Sequence, residues 1–519
     1  MQAPRKALQL VVAAAVALLL IGCAARTVKP PDPGVVERAE RLVAQGCHDC
    51  LLEARELLEP LAATSPDPGT ALTRLFEVQL LLVLRRKELA MDVDLEMERA
   101  RTLAARLPAH AGADRYLELV ETIPPDRAGT PNPDRRMFPP GIQDLQRYAG
   151  DALTWLESQE ILPLLNGYLT TAVQCTLVPP RPDATEAPPT DQPPPPPLLA
   201  FRRALCNPLR NRPALEQYLS AVPRAVETGL FLARGGMATL ATGGSRILPP
   251  LEGTYARFAD SPAVTYELAT ITQALGDCRR AVGHYSETLS LRPRHDDARL
   301  GRTICWSHLN EPLEAIADAT VLIEARATNY GDAFYWRAWN RHRLAELDLA
   351  RADIERAKTL RYASHVLTLA GIIEHDQADL DIARSDLATA TQLDGTNCTA
   401  RWYLGVVEYR AERWLDSAGA FAESAGCYAA SASSGEAQRA VMLGRDDLEE
   451  EFRTRQIAAF DAAVQEDRNQ ESASALNAAL NYARAGDRVK ATEYLDRAAA
   501  DARRSEKVEE LRRILAGRP

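Results

Sequence analysis

Runs that alternate β-branched and polar residues are nearly missing from this 519-residue sequence, and aromatic residues make up only 6% of it. Half-buried strands need apolar residues at every second position, so a sheet-based architecture is excluded. Alanine and leucine abound instead, which is the composition of an all-α protein. A basic excess is missing as well: 61 Lys and Arg stand against 71 Asp and Glu, for a formal charge of −10. That balance excludes a nucleic-acid partner, which would demand a basic face. There is no Gly-x-Ser-x-Gly elbow, no His-Glu-x-x-His, no Gly-rich phosphate loop and no repeated Cys-x-x-Cys pair. Gly235-Gly236 and Gly243-Gly244 lack the spacing of a phosphate site and mark helix ends. The expectation is a protein that is not an enzyme, with no catalytic residue, no cofactor and no metal site.

What the sequence does have is a period. Ala281, Ala315, Ala350, Ala383 and Ala418 follow at steps of 34, 35, 33 and 35 residues, and Ala491 lies 73 residues further on. A period near 34 residues signals helical hairpins stacked side by side. In the first unit Tyr266, Leu268 and Ala269 open one helix and Gly276-Asp277 interrupts it. Ala281, Tyr285, Thr288 and Leu289 then continue on a second helix before Pro293. The next units keep step through Asn310 and Ala315, then Ala338, Ala350, Ile354 and Ala357. They continue through Gly371, Ala378, Ala383, Leu387 and Ala390, then Gly405, Ala418 and Phe421, this fifth unit with one extra residue in its turn. The last has Ala478-Ala479, Gly486-Asp487, Ala491, Leu495 and Ala498. Small residues recur because two helices cross closely there, and bulk would push them apart.

This pattern resembles the tetratricopeptide repeat (TPR), with its small residue in the first helix, Gly turn, early Ala in the second helix and closing Pro. The resemblance implies an α-solenoid of antiparallel helix hairpins, a TPR-like superhelix, here with a helical N-terminal region and a proline-rich loop. It also implies a concave binding groove lined by the first helix of each hairpin. Carried over position by position, the groove would hold Tyr266, His308, Tyr335, Trp339, His342, Arg343, His365, His375, Trp402, Tyr409 and Arg410. Aromatic and Arg side chains are what partner hot spots favour. Four of the eight histidines fall in this set, so binding could respond to pH. The competing reading is that these rings fill gaps between helices.

The N-terminus carries a second signal. Arg5 and Lys6 precede an apolar run from Ala7 to Ile21, broken only by Gln9 and ending in Leu20-Ile21-Gly22-Cys23. A charged start, a short apolar core and a small residue mark a secretory signal peptide, and the run is short of the roughly 20 residues that span a bilayer. The last four residues resemble the bacterial lipobox, which implies lipidation of Cys23 with acyl chains such as palmitate. Ala24, where Asp often signals inner-membrane retention, implies the periplasmic face of the outer membrane in the cell envelope.

Without Cys23, eight cysteines remain for a compartment that permits disulfides. The repeat register suggests the pairs Cys278–Cys305 and Cys398–Cys427; Cys175 and Cys206 flank the proline tract and Cys47 and Cys50 share one turn, which suggests Cys175–Cys206 and Cys47–Cys50. Cys47-His48-Asp49-Cys50 could also be a redox motif, but both flanks read as helical, without the strand that such a motif follows.

The expected organisation is a signal peptide at 1–22, a flexible tether at 23–34 and a helical, degenerate repeat-like region at 35–170. A proline-rich loop region follows at 171–210, then a helical connector at 211–260, five TPR-like repeats at 261–430 and a degenerate hairpin at 431–471. The last repeat and a capping helix occupy 472–519. The function expected is a lipid-anchored scaffold or adaptor for protein partners of the cell envelope, in assembly, secretion or pilus-type machinery. The alternative is a solute- or glycan-binding lipoprotein component of a transport system.

Overall fold

The computed structural model describes residues 33–64, 68–108, 112–123, 142–159, 161–177, 196–205, 212–236, 240–327, 329–445, 450–499 and 504–517. Among them lie 24 helices and no strand, so the fold class is all-α. The described helices fall into two compact units, which divide after Glu227.

The first unit holds α1 (Pro33–Gln45), α2 (His48–Thr64), α3 (Pro68–Glu88), α4 (Asp94–Ala104) and α5 (Ala113–Thr122). It continues with α6 (Ile142–Glu157), α7 (Pro163–Leu177), α8 (Pro197–Leu205) and α9 (Arg212–Ala221). Leu80 to Leu84 is apolar without a break, so α3 must be enclosed on every side; all five residues are buried. Arg85, one position on, is also fully buried. It is tolerated because its charge is paired: it donates to Glu88 at 2.7 Å and to the Gly46 carbonyl at 2.8 Å, and lies 4.2 Å from the Phe201 ring centroid. The second anchor of this corner is Glu227, whose carboxylate accepts the His48 N–H at 2.8 Å. Between these anchors runs the Cys47–Cys50 disulfide, Cα–Cα 4.9 Å, with both cysteines 0% exposed. A bond so enclosed is out of reach of a protein thiol, which leaves it a staple across the start of α2. Ala54 is buried like the repeat alanines, but it follows the left-handed Gly46 by eight residues where the later hairpins have five.

The second unit opens with α10 (Thr228–Gly236) and α11 (Leu240–Arg257) and then settles into hairpins, each an A helix followed by a B helix. They are α12 (Pro262–Ala274) with α13 (Cys278–Leu291), α14 (Asp296–His308) with α15 (Pro312–Glu324), and α16 (Tyr330–Arg343) with α17 (Leu347–Leu360). Next come α18 (Ser364–Asp376) with α19 (Leu380–Leu393), α20 (Cys398–Arg410) with α21 (Trp414–Leu443), and α22 (Glu450–Arg484) with α23 (Arg488–Ala498). A final helix, α24 (Ser505–Leu515), lays Val508 and Leu511 on the last hairpin and presents charge outward, as an end cap must.

Every A helix ends the same way. The residue two past its last one is left-handed: Gly276, Asn310, Ala345, Ala378, Glu412 and Gly486. The following N–H bonds back to the carbonyl five residues earlier (Asp277 to Thr272, Glu311 to Trp306, and likewise in the other four), which satisfies carbonyls that the helix leaves open. Five residues past each turn a small residue is fully buried: Ala281, Ala315, Ala350, Ala383, Ser417 and Ala491. The fifth member corrects the sequence register. The turn at Glu412 has no extra residue, and Ser417 takes the slot assigned to Ala418. Its hydroxyl avoids the cost of burial by donating to the Gly405 carbonyl at 2.8 Å.

The segment expected as a degenerate hairpin at 431–471 consists of the ends of two long helices. No left-handed residue ends α21 after the usual length, so it runs on for 30 residues, and α22 spans 35. The intervening segment is the shared extension of two flanking helices, and Arg439 with Asp461 and Arg468 with Glu436 bridge it.

Facing the small B-helix residues, α18 and α20 carry Gly371 and Gly405. A Cβ on Gly371 would sit 2.5 Å from Leu387 Cγ and 3.1 Å from the Ala383 carbonyl; one on Gly405 would sit 2.9 Å from the Phe421 ring. Gly371→Ala should therefore destabilise the protein by about 1–3 kcal/mol through overpacking, although alanine is the better helix former. Urea denaturation measures it, and an unchanged or higher midpoint would contradict this packing.

Candidate functional site

Because each A helix stops at the same register, the last turns of α14, α16, α18, α20 and α22 bring equivalent positions together. The final residue of each is His308, Arg343, Asp376, Arg410 and Arg484. Arg343 donates to the Ser307 carbonyl at 3.0 Å and to the Asn310 side chain; Arg410 donates to the His375 carbonyl at 2.7 Å. The two arginines stand two hairpins apart and make the same contact with the preceding A helix. Each places its cation at the negative end of that helix, a favourable site for positive charge. In the hairpin between them the position is Asp376, which takes His342 Nε2 at 2.7 Å and His375 Nδ1 at 2.8 Å. Burial alone would raise the Asp376 carboxyl, but the two histidine hydrogen bonds outweigh it and hold the group below its ordinary range.

Rings fill the neighbouring positions. His308 meets Trp336 edge-on at 5.9 Å, Trp336 meets Trp339 at 6.5 Å, and Tyr335 meets both Trp336 and His365 at 5.3 and 5.0 Å. Burial, reinforced by Arg361, lowers the His365 pKa, and burial pushes Tyr335 up to about 12. Further along, the Arg484 guanidinium lies 5.0 Å from the Tyr409 ring and 4.9 Å from Trp414. Trp339 and Tyr409 remain 37% and 41% exposed, large areas for aromatic side chains that fold-level packing does not claim. His308, Arg343, His365 and Arg410 are exposed with them.

Two expected groove residues belong to packing. Tyr266 is buried, stacked on His295 at 4.6 Å and tilted against Tyr285 at 6.1 Å. Trp402 is half-buried against Phe421, 5.1 Å away, in the cluster around Ala418 and Ala478. Tyr335 is intermediate, leaning on the Ala338–Ile354 cluster. Three residues on this face fall outside the expected groove set: Trp336, Asp376 and Arg484. Asp376 and Arg484 share the register position of Arg343 and Arg410, and Trp336 is one turn before Trp339, so repeat alignment was the available signal.

The Cys398–Cys427 disulfide ties the start of α20 to α21, Cα–Cα 5.4 Å. Cys278 and Cys305 differ from expectation: both are free thiols. Their side chains are in hydrogen-bonding contact, but burial first, and the Cys278 neighbour second, hold the Cys305 thiol far above its ordinary pKa. Cys278 lines a cavity of about 690 Å³ together with Thr270, Gln273, Asp277, Arg279 and His308 among others. The Cys175–Cys206 pair and Cys23 lie outside the described residues. Among the described residues no helix is long and apolar enough to cross a membrane.

No family model and no curated protein matches this chain. Solved structures of similar fold exist. One is the Cut9–Hcn1 hetero-tetramer of APC/C, with 10% identity over 92% of this chain and 95% of that one, TM-score 0.41. Another is pilF of Pseudomonas aeruginosa, 12% identical over 48% of this chain and 96% of that one, TM-score 0.35. A third is YrrB, described as a TPR protein with an unusual peptide-binding site, 19% identical over 34% and 91%, TM-score 0.29. Each of these TM-scores is below 0.5, and the likeness is confined to the arrangement of helices.

The stack of His295 under Tyr266 has a pH consequence. His295 Nδ1 accepts the Ala298 N–H at 3.2 Å and so caps α14. Burial, reinforced by Arg292, lowers its pKa from 6.5 to about 4. Between those values the unfolded chain takes up a proton that the folded chain refuses, so stability falls as pH drops. The expected loss is about 2 kcal/mol near pH 5 relative to neutral solution. His295→Asn, which keeps a capping acceptor, should remove this component in urea titrations at the two pH values; equal pH dependence in both proteins would contradict it.

Proposed function

We propose that this protein is a non-enzymatic, lipid-anchored scaffold that holds a segment of a partner protein against the last turns of its A helices. Cys23 would carry the anchor, at the periplasmic face of the outer membrane, and the process served would be envelope assembly, secretion or pilus-type machinery. One observation carries the reading: Arg343 and Arg410 recur in register at two helix ends, and the exposed rings of Trp339 and Tyr409 lie within the last five residues of the same two helices. Ring faces and guanidinium groups presented on a rigid frame are the side chains that dominate protein interfaces. The arginines point at carbonyls and leave formal charge uncompensated, which suits an acidic or carboxylate-bearing segment. The supporting argument against catalysis is local: among the described contacts neither His342 nor His375 meets a hydroxyl or thiol that it could activate.

A second reading, a solute- or glycan-binding component of an envelope transport system, draws on the cavity beside Cys278 and His308. Affinity capture from native envelopes separates the two. The full chain should recover a protein, and a variant carrying Trp339→Ala, Arg343→Ala and Tyr409→Ala should lose it while keeping its melting temperature. Undiminished capture by that folded variant would exclude this face as the docking surface. Recovery of a small molecule in place of a protein would favour the second reading.

A further inference from the structure

The second and third hairpins contain a charge pair that the fourth lacks. Arg302 of α14 grips Asp318 with two hydrogen bonds of 2.7 and 2.8 Å, and Arg337 of α16 grips Asp353 at 2.8 and 2.7 Å. In the fourth hairpin the aspartate is present as Asp386, but the arginine position is Ala370. Asp386 turns to Lys358 of α17 at 2.5 Å. The same ammonium bonds Glu355 at 2.9 Å and lies 3.9 Å from Glu374. Three carboxylates therefore share one cation, and one oxygen from each lies within 4.8 Å of the others.

Glu374 is the member that ordinary packing does not explain. It is 0% exposed, and neither of its carboxylate oxygens accepts a hydrogen bond. Glu408, at the same register one hairpin on, is bonded by Arg384 at 2.6 Å. Arg351, the other cation near Glu374, is committed to Asp379 and Gln377. A buried carboxylate with no donor is costly, and the cost is relieved by a proton or by a cation. Burial, then the charge of Asp386, push Glu374 up to about 7, so in neutral solution neither form is strongly preferred.

We propose that Glu355, Glu374 and Asp386 form a site for one hard divalent cation, of the Ca²⁺ or Mn²⁺ class, which competes with the Lys358 ammonium. An all-carboxylate donor set selects hard cations over those that prefer nitrogen or sulfur. Water would complete the coordination shell. Lys358 has a flexible stem and a partly exposed side chain, so its ammonium can withdraw toward solvent when the cation enters. The three ligands come from α17, α18 and α19, so occupancy would clamp the third hairpin to the fourth.

Calorimetric titration of the detergent-solubilised full chain, first stripped with a chelator, tests the site with Ca²⁺ and separately with Mn²⁺. One saturable event per chain is expected, with a dissociation constant of about 10⁻⁴–10⁻³ M, the range of weak extracellular sites. Glu374→Gln should weaken it by roughly tenfold or more, and Lys358→Met should tighten it by removing the competing charge. Excess cation should raise the melting temperature of the wild-type protein and raise that of Glu374→Gln by less. Glu374→Gln removes a buried carboxylate that accepts no hydrogen bond, so the fold should survive it; Asp386→Asn provides an independent loss of a ligand. Absence of saturable binding up to about 10 mM, or equal affinity in wild-type protein and Glu374→Gln, would overturn the proposal.

Discussion

Two helices cross in each hairpin of the second unit with almost nothing between their backbones, and most of that unit follows from this crossing. Ala281, Ala315, Ala350, Ala383, Ser417 and Ala491 form one side of the contact and are fully buried. The other side is equally small, down to the bare glycines at 371 and 405 that Leu387 and Phe421 press against. Protein interiors close like solids, so a contact this short fixes the angle and depth of each hairpin. The left-handed turn five residues before the B-helix slot then sets where each A helix must stop.

The candidate binding face is a by-product of that stop. Since all A helices end in one register, their final side chains form a row, and what stands in the row differs from repeat to repeat: histidine, arginine, aspartate, arginine, arginine. Arg343 and Arg410 are anchored by carbonyls of the preceding helix, and Asp376 by two histidines, so the row is stiff before any partner arrives. Stiff, exposed rings and guanidinium groups lose little entropy on binding. The uneven charges deeper in the stack have the same origin: where Ala370 replaces an arginine, Asp386 must share Lys358 with two glutamates.

The alanine spacing alone suffices for the repeat and the all-α class, because a close crossing tolerates few residue types. The turns are legible at Gly276, Asn310 and Gly486. Elsewhere Ala345, Ala378 and Glu412 take the same left-handed backbone without a glycine or asparagine to announce it, and this obscures the fifth register and hides Ser417. The long pair α21 and α22 reads from sequence as a separate hairpin, since helical patterning does not show which helices are continuous. On the face, the register finds Arg343, Arg410, Trp339 and Tyr409. It does not distinguish Tyr266 and Trp402, whose rings have the same chemistry but turn into the gaps beside Tyr285 and Phe421. The register also brings the Cys278 and Cys305 thiols together, but it does not distinguish contact from bond: the two are neighbours and both free.

The central claim is that partners meet the ends of the A helices and not the outer surface of the B helices. Site-specific photocrosslinking in intact cells tests it most directly, with benzoylphenylalanine placed at Trp339 or Tyr409 and, for contrast, at the exposed B-helix positions Leu349 or Ile382. A protein adduct is expected from 339 and 409 and none from 349 and 382. Adducts confined to 349 and 382 would contradict the claim.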